Sequence, residues 1–200
     1  MGAAPIGFSY SASSVGTEPA GTLPGDLLIA LASGTGSNGV IPTLATGWTS
    51  LKTQSTTGGF TGRFALIQRG ATAPSLTFAN AGAVMIGTIR GHNPANPVNA
   101  LAAGNNTNGG TSNNPAPWNP IGAVLCVAMT ICFPHTVVIS GRTPGWSFTV
   151  ANAWSEFDTE VSSTPIITWT FSTANNVCFG VAINDALPIS GGSLPLLGVG

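Results

Sequence analysis

The chain has very little charge. Five Lys/Arg and six Asp/Glu make up 6% of its 200 residues, where a typical soluble domain has about 25%. The formal net charge of −1 provides neither a basic stripe for nucleic acid nor an acidic field for cationic partners, so we expect no nucleic-acid partner. Because charged side chains normally keep β-strand edges apart, we also expect partners to cover the edges and apolar patches of this chain.

The sequence is equally poor in groups for catalysis. Its two histidines, His92 and His135, lie in no diagnostic motif, and we interpret both as surface or turn residues. A Ser/His/Asp triad can be written with His135, Asp158 and one of many serines, but most chains permit this. We therefore predict a protein that is not an enzyme and has no catalytic residues and no cofactor.

Cysteine usage and hydropathy exclude two further classes. Cys126, Cys132 and Cys178 have no metal-ligand spacing, and Cys126 and Cys178 lie in apolar runs that predict buried thiols. No stretch approaches the roughly 18 uncharged apolar residues that span a bilayer, and the first residues lack the pattern of a secretory signal. We expect no membrane partner and synthesis in a cytoplasm.

Helical periodicity is also missing, whereas strand and turn signals are frequent. No window of ten or more residues keeps a helical period free of Gly, Pro and β-branched clusters. A hydrophobic content of 43% and five Trp argue against disorder. Many short strands predict one all-β domain over residues 1–200, an antiparallel β-sandwich of jelly-roll type.

Two stretches look like copies of one another. An apolar strand beginning at Gly25 is followed by Trp48, and a similar strand beginning at Gly122 is followed, at nearly the same spacing, by Trp146. This repeat predicts pseudo-equivalent halves over 21–100 and 121–186, with both tryptophans as core anchors. The Asn/Gly/Thr/Pro-rich residues 91–120 are interpreted as the connecting loop.

The apolar run 27–32 does not alternate, which predicts a strand buried on both faces. Asp26, just before it, is interpreted as a turn residue whose carboxylate bonds local backbone N–H groups. The run 75–79 alternates cleanly and predicts a strand with Leu76 and Phe78 on one face.

Three carboxylates, Glu156, Asp158 and Glu160, alternate along one extended segment. They could hold Ca²⁺ if neighbouring carbonyls completed the shell, or they could form a charged strand edge. We favour the charged edge and predict no metal. A glycan hydrolase that uses these carboxylates is a third, weaker hypothesis for function.

Aromatic residues suggest a second type of site. Trp48, Trp146 and Trp169 lie in apolar strands and are interpreted as core residues, whereas Trp118 and Trp154 have more polar surroundings. The latter two are the candidates for stacking against sugars.

The segment 187–200 is apolar, uncharged and too rich in Pro and Gly for a helix. Leaving its large side chains in water would forfeit roughly 1.5–3 kcal/mol each. We therefore expect the tail to dock on its own domain or on a neighbouring subunit. The predicted interface residues are Leu194, Leu196, Leu197 and Val199.

Four pieces of the first half resemble, in order, a β-sandwich module of bacteriophage virion proteins. They are residues 24–30 (PGDLLIA), 47–49 (GWT), 75–78 (SLTF) and 89–98 (IRGHNPANPV). The second half departs from the pattern, because Ala123 replaces the Asp and no Asn-Pro loop follows Ile183. The resemblance implies a virion component, such as a capsid decoration protein or part of a tail or fibre, and it implies no catalytic residues.

Together these features favour a structural protein of a phage virion, most simply a capsid decoration (cement) protein that stabilises the head. The expected partners are the major capsid protein or other virion proteins and further copies of this chain. Trimers would fit capsid threefold positions. The alternative is a tail or fibre receptor-binding module that recognises host glycans through Trp118 and Trp154.

Overall fold

The computed structural model describes residues 2–34, 39–55, 59–103, 112–113, 124–133, 137–140, 146–148, 151–158, 168–171 and 175–186. Within these ranges the regular secondary structure is entirely β-strand, so the predicted all-β class is confirmed. The strands are β1 (Ala4–Ser11), β2 (Leu27–Gly34), β3 (Thr49–Ser55), β4 (Thr61–Gln68), β5 (Ala81–Arg90), β6 (Val98–Ala103), β7 (Ser112–Asn113), β8 (Val124–Phe133), β9 (Val137–Ser140), β10 (Trp146–Phe148), β11 (Ala151–Asp158), β12 (Thr168–Phe171) and β13 (Asn175–Asn184).

The strands form three sheets, and the pairings within them are antiparallel, as predicted. The first sheet has the order β1-β5-β2-β4-β3, and the second has the order β10-β11-β8-β13-β6. The third sheet is small, with the order β7-β12-β9. The long apolar strands β2 and β8 therefore lie at the centres of the two larger sheets, where both of their edges are paired.

The two five-stranded sheets share one hydrophobic core. Leu27, Leu31 and Met85 of the first sheet belong to the same buried cluster as Met129 and Val181 of the second. Across this interface the rings of Phe64 and Phe179 stack, with centroids 5.4 Å apart and planes 10° from parallel. Alternate residues of each central strand thus face the opposite sheet.

A second cluster covers the other face of the first sheet. Leu28, Ala30 and Ile86 pack there against Trp48 and Phe78, which come from connecting segments. Trp48 lies edge-on to Phe78 with centroids 5.2 Å apart, and its indole N–H donates to the Ser75 carbonyl at 2.9 Å. Every residue of β2 is consequently buried, which confirms both the two-sided burial of 27–32 and the core position of Trp48.

The structure corrects two predicted boundaries. Within 91–120, expected to be a connecting loop, Val98–Ala103 form β6 and pair with β13, because Val98 and Leu101 gain burial against the shared core. The strand predicted over 75–79 is reduced to isolated bridges from Thr77 to Val15 and from Ala79 to Thr43. Leu76 and Phe78 nevertheless face one cluster, as the alternation predicted.

The predicted burial of two cysteines is confirmed. Cys126 in β8 and Cys178 in β13 are fully buried thiols in adjacent strands of the second sheet, where Cys126 lies opposite Ala182 and Cys178 lies opposite Thr130. The side chain of Cys132 lies outside the described part of the structure.

The contact between the two large sheets can be tested at a glycine. A Cβ atom added at Gly62 would lie 2.8 Å from the Cβ of Val177 in the opposite sheet, which is closer than packed carbons allow. We expect Gly62→Ala to lower the free energy of unfolding by about 1–3 kcal/mol, measured by denaturant titration. Gly70→Ala is the matched control, because its added Cβ would meet no atom closer than 3.8 Å. Equal stability of both variants and the parent chain would contradict this packing.

Candidate functional site

The described residues form an open cleft of about 300 Å³ at one end of the first sheet, where β2 begins and β4 and β5 end. Asp26 precedes β2, Gln68 ends β4 and Arg90 ends β5, so the antiparallel register brings these polar side chains together. The lining residues are Leu23, Pro24, Gly25, Asp26, Gln68, Arg90, Gly91, His92 and Pro94.

A two-pronged ion pair lies at the wall of this cleft. The Arg90 guanidinium donates from Nε to Asp26 Oδ1 and from Nη2 to Asp26 Oδ2, both at 2.8 Å. Arg90 Nη2 also donates to the Gly21 carbonyl at 2.9 Å. The side chain of Asp26 is 4% exposed and that of Arg90 is 36% exposed, so the carboxylate is buried while part of the guanidinium reaches solvent.

The interpretation of Asp26 as a turn residue is confirmed, since Asp26 Oδ2 accepts the backbone N–H of Leu23 at 2.8 Å. Burial alone would raise the pKa of Asp26, but the hydrogen bonds from Arg90 and Leu23 and the charge of Arg90 outweigh it and lower the pKa. The pKa of Arg90 is correspondingly raised by its hydrogen bond to Asp26. Asp26 therefore stays ionised and fixes the turn 23–26 to the end of β5.

His92 is buried, which corrects its interpretation as a surface or turn residue. Only 5% of the residue is exposed, and neither ring nitrogen has a hydrogen-bond partner of good geometry among the described residues. Burial lowers the pKa of His92, although the Asp26 carboxylate and the Ile89 backbone act in the opposite direction. The sequence does not show this burial, because it depends on the β-bridge that His92 forms with Asp185, just beyond the end of β13.

This bridge is part of a junction between the end of the first half and the end of the second half. The Asn93 N–H donates to the Asn184 carbonyl and the Ala186 N–H donates to the Gly91 carbonyl, each at 2.8 Å. The Ala3 N–H donates to Asp185 Oδ1 at 2.6 Å. Residues 184–186 are thereby held against both the cleft-lining segment 91–93 and the start of β1.

The cleft offers hydrogen-bonding groups and an apolar rim. Both oxygens of Asp26 are already engaged, and Arg90 Nη1 makes no hydrogen bond to a described residue. Among the residues that the structure describes, no three His, Cys, Asp or Glu side chains come close enough to hold a metal ion. Leu23, Pro24 and Pro94 add an apolar rim to these hydrogen-bonding groups.

Most site residues predicted from the sequence have side chains outside the part of the chain that the structure describes. Trp118, His135, Glu160 and the tail residues Leu194, Leu196, Leu197 and Val199 are outside the described residues. Trp154, Glu156 and Asp158 belong to β11, at register positions opposite Ala128, Cys126 and Val124 of β8, but their side chains are not among those described.

The sequence did contain a signal for the cleft. In a chain with so few charges, an Asp before one apolar strand and an Arg after another mark the ends of strands that can pair. What the sequence could not supply was the antiparallel register that joins them.

The ion pair can be tested with Arg90→Gln. The substitution leaves the Asp26 carboxylate buried without its cation, so we expect a clear loss of stability at neutral pH in chemical denaturation. With Arg90 present, the lowered pKa of Asp26 contributes stability above about pH 4 that is lost as the pH falls further. The variant should lose that acid-dependent component. Lys52→Gln, at an exposed position, is the control and should change little; a similar small effect of Arg90→Gln would contradict the role of the pair.

His92 predicts a second pH dependence. Because burial lowers its pKa in the folded chain, the unfolded chain binds the proton more readily, and stability should fall as the pH drops below about 6.5. In His92→Leu we expect a flatter profile between about pH 6.5 and 5, because the variant lacks the group that titrates. The free energy of unfolding of both chains across this range measures the effect. Parallel profiles would show that His92 does not titrate differently on folding.

The described residues contain no helix long and apolar enough to cross a bilayer. Comparison of the chain with protein-family models, with curated proteins and with solved structures found no match.

Proposed function

We propose that this chain is a structural protein of a bacteriophage virion without enzymatic activity, and specifically a capsid decoration (cement) protein that stabilises the head through subunit contacts. Its partners under this proposal are the major capsid protein or other virion proteins and further copies of the chain. The proposal rests on the pieces of sequence that resemble the phage module and on the pairing of the few charged side chains with one another.

The supporting observation is that most charged side chains of the first half form ion pairs with one another. Residues 2–103 include six charged side chains, and four of these form the ion pairs Arg90–Asp26 at 2.8 Å and Arg69–Glu18 at 3.4 Å. Arg69 also donates to the carbonyls of Gly70 and Ala71. The surface left for contacts is therefore polar but almost uncharged.

Such a surface suits tight and permanent assembly. Burying a charge in an interface without a partner carries a large desolvation cost, whereas Ser, Thr and backbone groups can exchange water for hydrogen bonds at little net cost. The edge strand β3 is an example, because Thr49, Ser50 and Thr53 are exposed and Lys52 is its one charged residue. A chain that remained free in solution would gain from more charge on such an edge.

The same proposal includes an architecture of two related jelly-roll-like units packed as a sandwich. The first sheet takes its five strands in the order β1-β5-β2-β4-β3, and the second sheet, read from its other edge, is β6-β13-β8-β11-β10. When the five strands of each large sheet are numbered by their order along the chain, both sheets have the succession first, fifth, second, fourth, third.

The small third sheet extends this correspondence. Its order β7-β12-β9 parallels the first-half bridges, in which Val15 pairs with Thr77 and the adjacent Ala79 pairs with Thr43. Two interleaved layers of this kind are typical of jelly rolls. A duplicated unit with two similar outer surfaces is well suited to contacts with repeated capsid subunits, and trimers at threefold positions remain our proposal for the assembled state.

The test is made on the particle. Heads assembled without this chain should lose resistance to heat and to low salt, and purified chain added back should restore it. Antibody or gold labelling imaged on intact particles should place the chain on the head. Unchanged head stability, or a label confined to the tail, would overturn the cement proposal.

A further inference from the structure

We propose that the cleft formed by the turn 23–26 and the segment 90–94 is the docking site for the apolar segment that follows Ala186 of the same chain. This inference concerns the isolated protein and does not depend on the virion role.

The first argument is position. The Ala186 N–H donates to the carbonyl of Gly91 at 2.8 Å, and Gly91 lines the cleft. Asp185 is held in place from two sides, by its bridge to His92 and by the hydrogen bond from the Ala3 N–H. An extended chain advances about 3.3 Å per residue, so the three residues after Ala186 reach roughly 10 Å, enough to enter a cleft of about 300 Å³.

The second argument is the match between apolar surfaces. Leu23 at the cleft rim is 53% exposed, and it is one of three large hydrophobic side chains that are exposed among the described residues, together with Val15 and Val40. Pro24 and Pro94 extend the rim. The segment 187–200 has no charged residue and begins Leu187-Pro188-Ile189, so both surfaces gain by leaving water.

The third argument is hydrogen bonding. A backbone that enters the cleft needs donors for its carbonyls and acceptors for its N–H groups. Arg90 Nη1 makes no hydrogen bond to a described residue, and the buried nitrogens of His92 have no partner of good geometry there. Pro188 has no N–H and so needs one acceptor fewer.

The electrostatics of the cleft favour an uncharged occupant. The charge of Arg90 is already matched by Asp26 at 2.8 Å, so an anion would meet a compensated site. The cleft therefore suits a neutral peptide segment better than a phosphate or carboxylate. The uncharged segment that follows Ala186 in the same chain is such a peptide.

A double-mutant cycle on the purified chain tests the proposal. Leu23→Ser is made in the full chain and in a chain truncated after Ala186, and the unfolding equilibrium constant of each is measured in denaturant. If the segment covers Leu23, the substitution should raise this constant about tenfold in the full chain and less than twofold in the truncated chain. Val15→Ser, at a similarly exposed position, should have the same small effect in both chains.

A second variant keeps the test decisive if the truncated chain does not fold. Leu187→Ser/Ile189→Ser in the full chain should then abolish the effect of Leu23→Ser in the same way. Equal effects of Leu23→Ser in all backgrounds would overturn the proposal. A coupling that disappears on dilution would overturn it too, because the occupant would then be the corresponding segment of a neighbouring copy. Neither result bears on the head-stability experiment.

Discussion

The burial of β2 on both faces is the constraint on which the rest of the fold depends. Every residue from Leu27 to Gly34 is buried, and each large side chain among them contributes roughly 1.5–3 kcal/mol when removed from water. A strand of this kind needs two separate covers. One is the second sheet, reached through Phe64 and Phe179, and the other is the set of connecting segments that carry Trp48 and Phe78.

This arrangement leaves the ends of the strands as the places where polar chemistry can occur. Both faces of the first sheet are covered by packed apolar side chains. The end of the sheet at Asp26, Gln68 and Arg90 opens instead into a cleft. The ion pair there stabilises the turn before β2 without a charged surface elsewhere. The buried ring of His92 makes the same end of the sheet sensitive to pH, because burial lowers the pKa of His92 and protonation would place a charge on a buried ring.

Sequence patterns predicted the features that depend on local order and failed for those that depend on register. The unbroken apolar run 27–32, the alternation around Phe78 and the environment of Trp48 each determine burial within a few residues, so they were predicted correctly. β6 was missed because a short strand in an Asn-rich stretch is stabilised by its pairing with β13. The cleft was missed for the same reason, since His92 is buried through its bridge to Asp185.

The hydrogen bond between Ala3 and Asp185 joins residues 182 positions apart, and this separation has a consequence for biosynthesis. All five strands of the first sheet come from residues 4–90, whereas the sheet that covers its inner face is completed only by β13. At ribosomal rates of about 5–20 residues per second, the interval between the two is on the order of ten seconds. During that time Phe64 and Met85 form part of an uncovered apolar face. The nascent first half is therefore the form of this protein that most needs a chaperone.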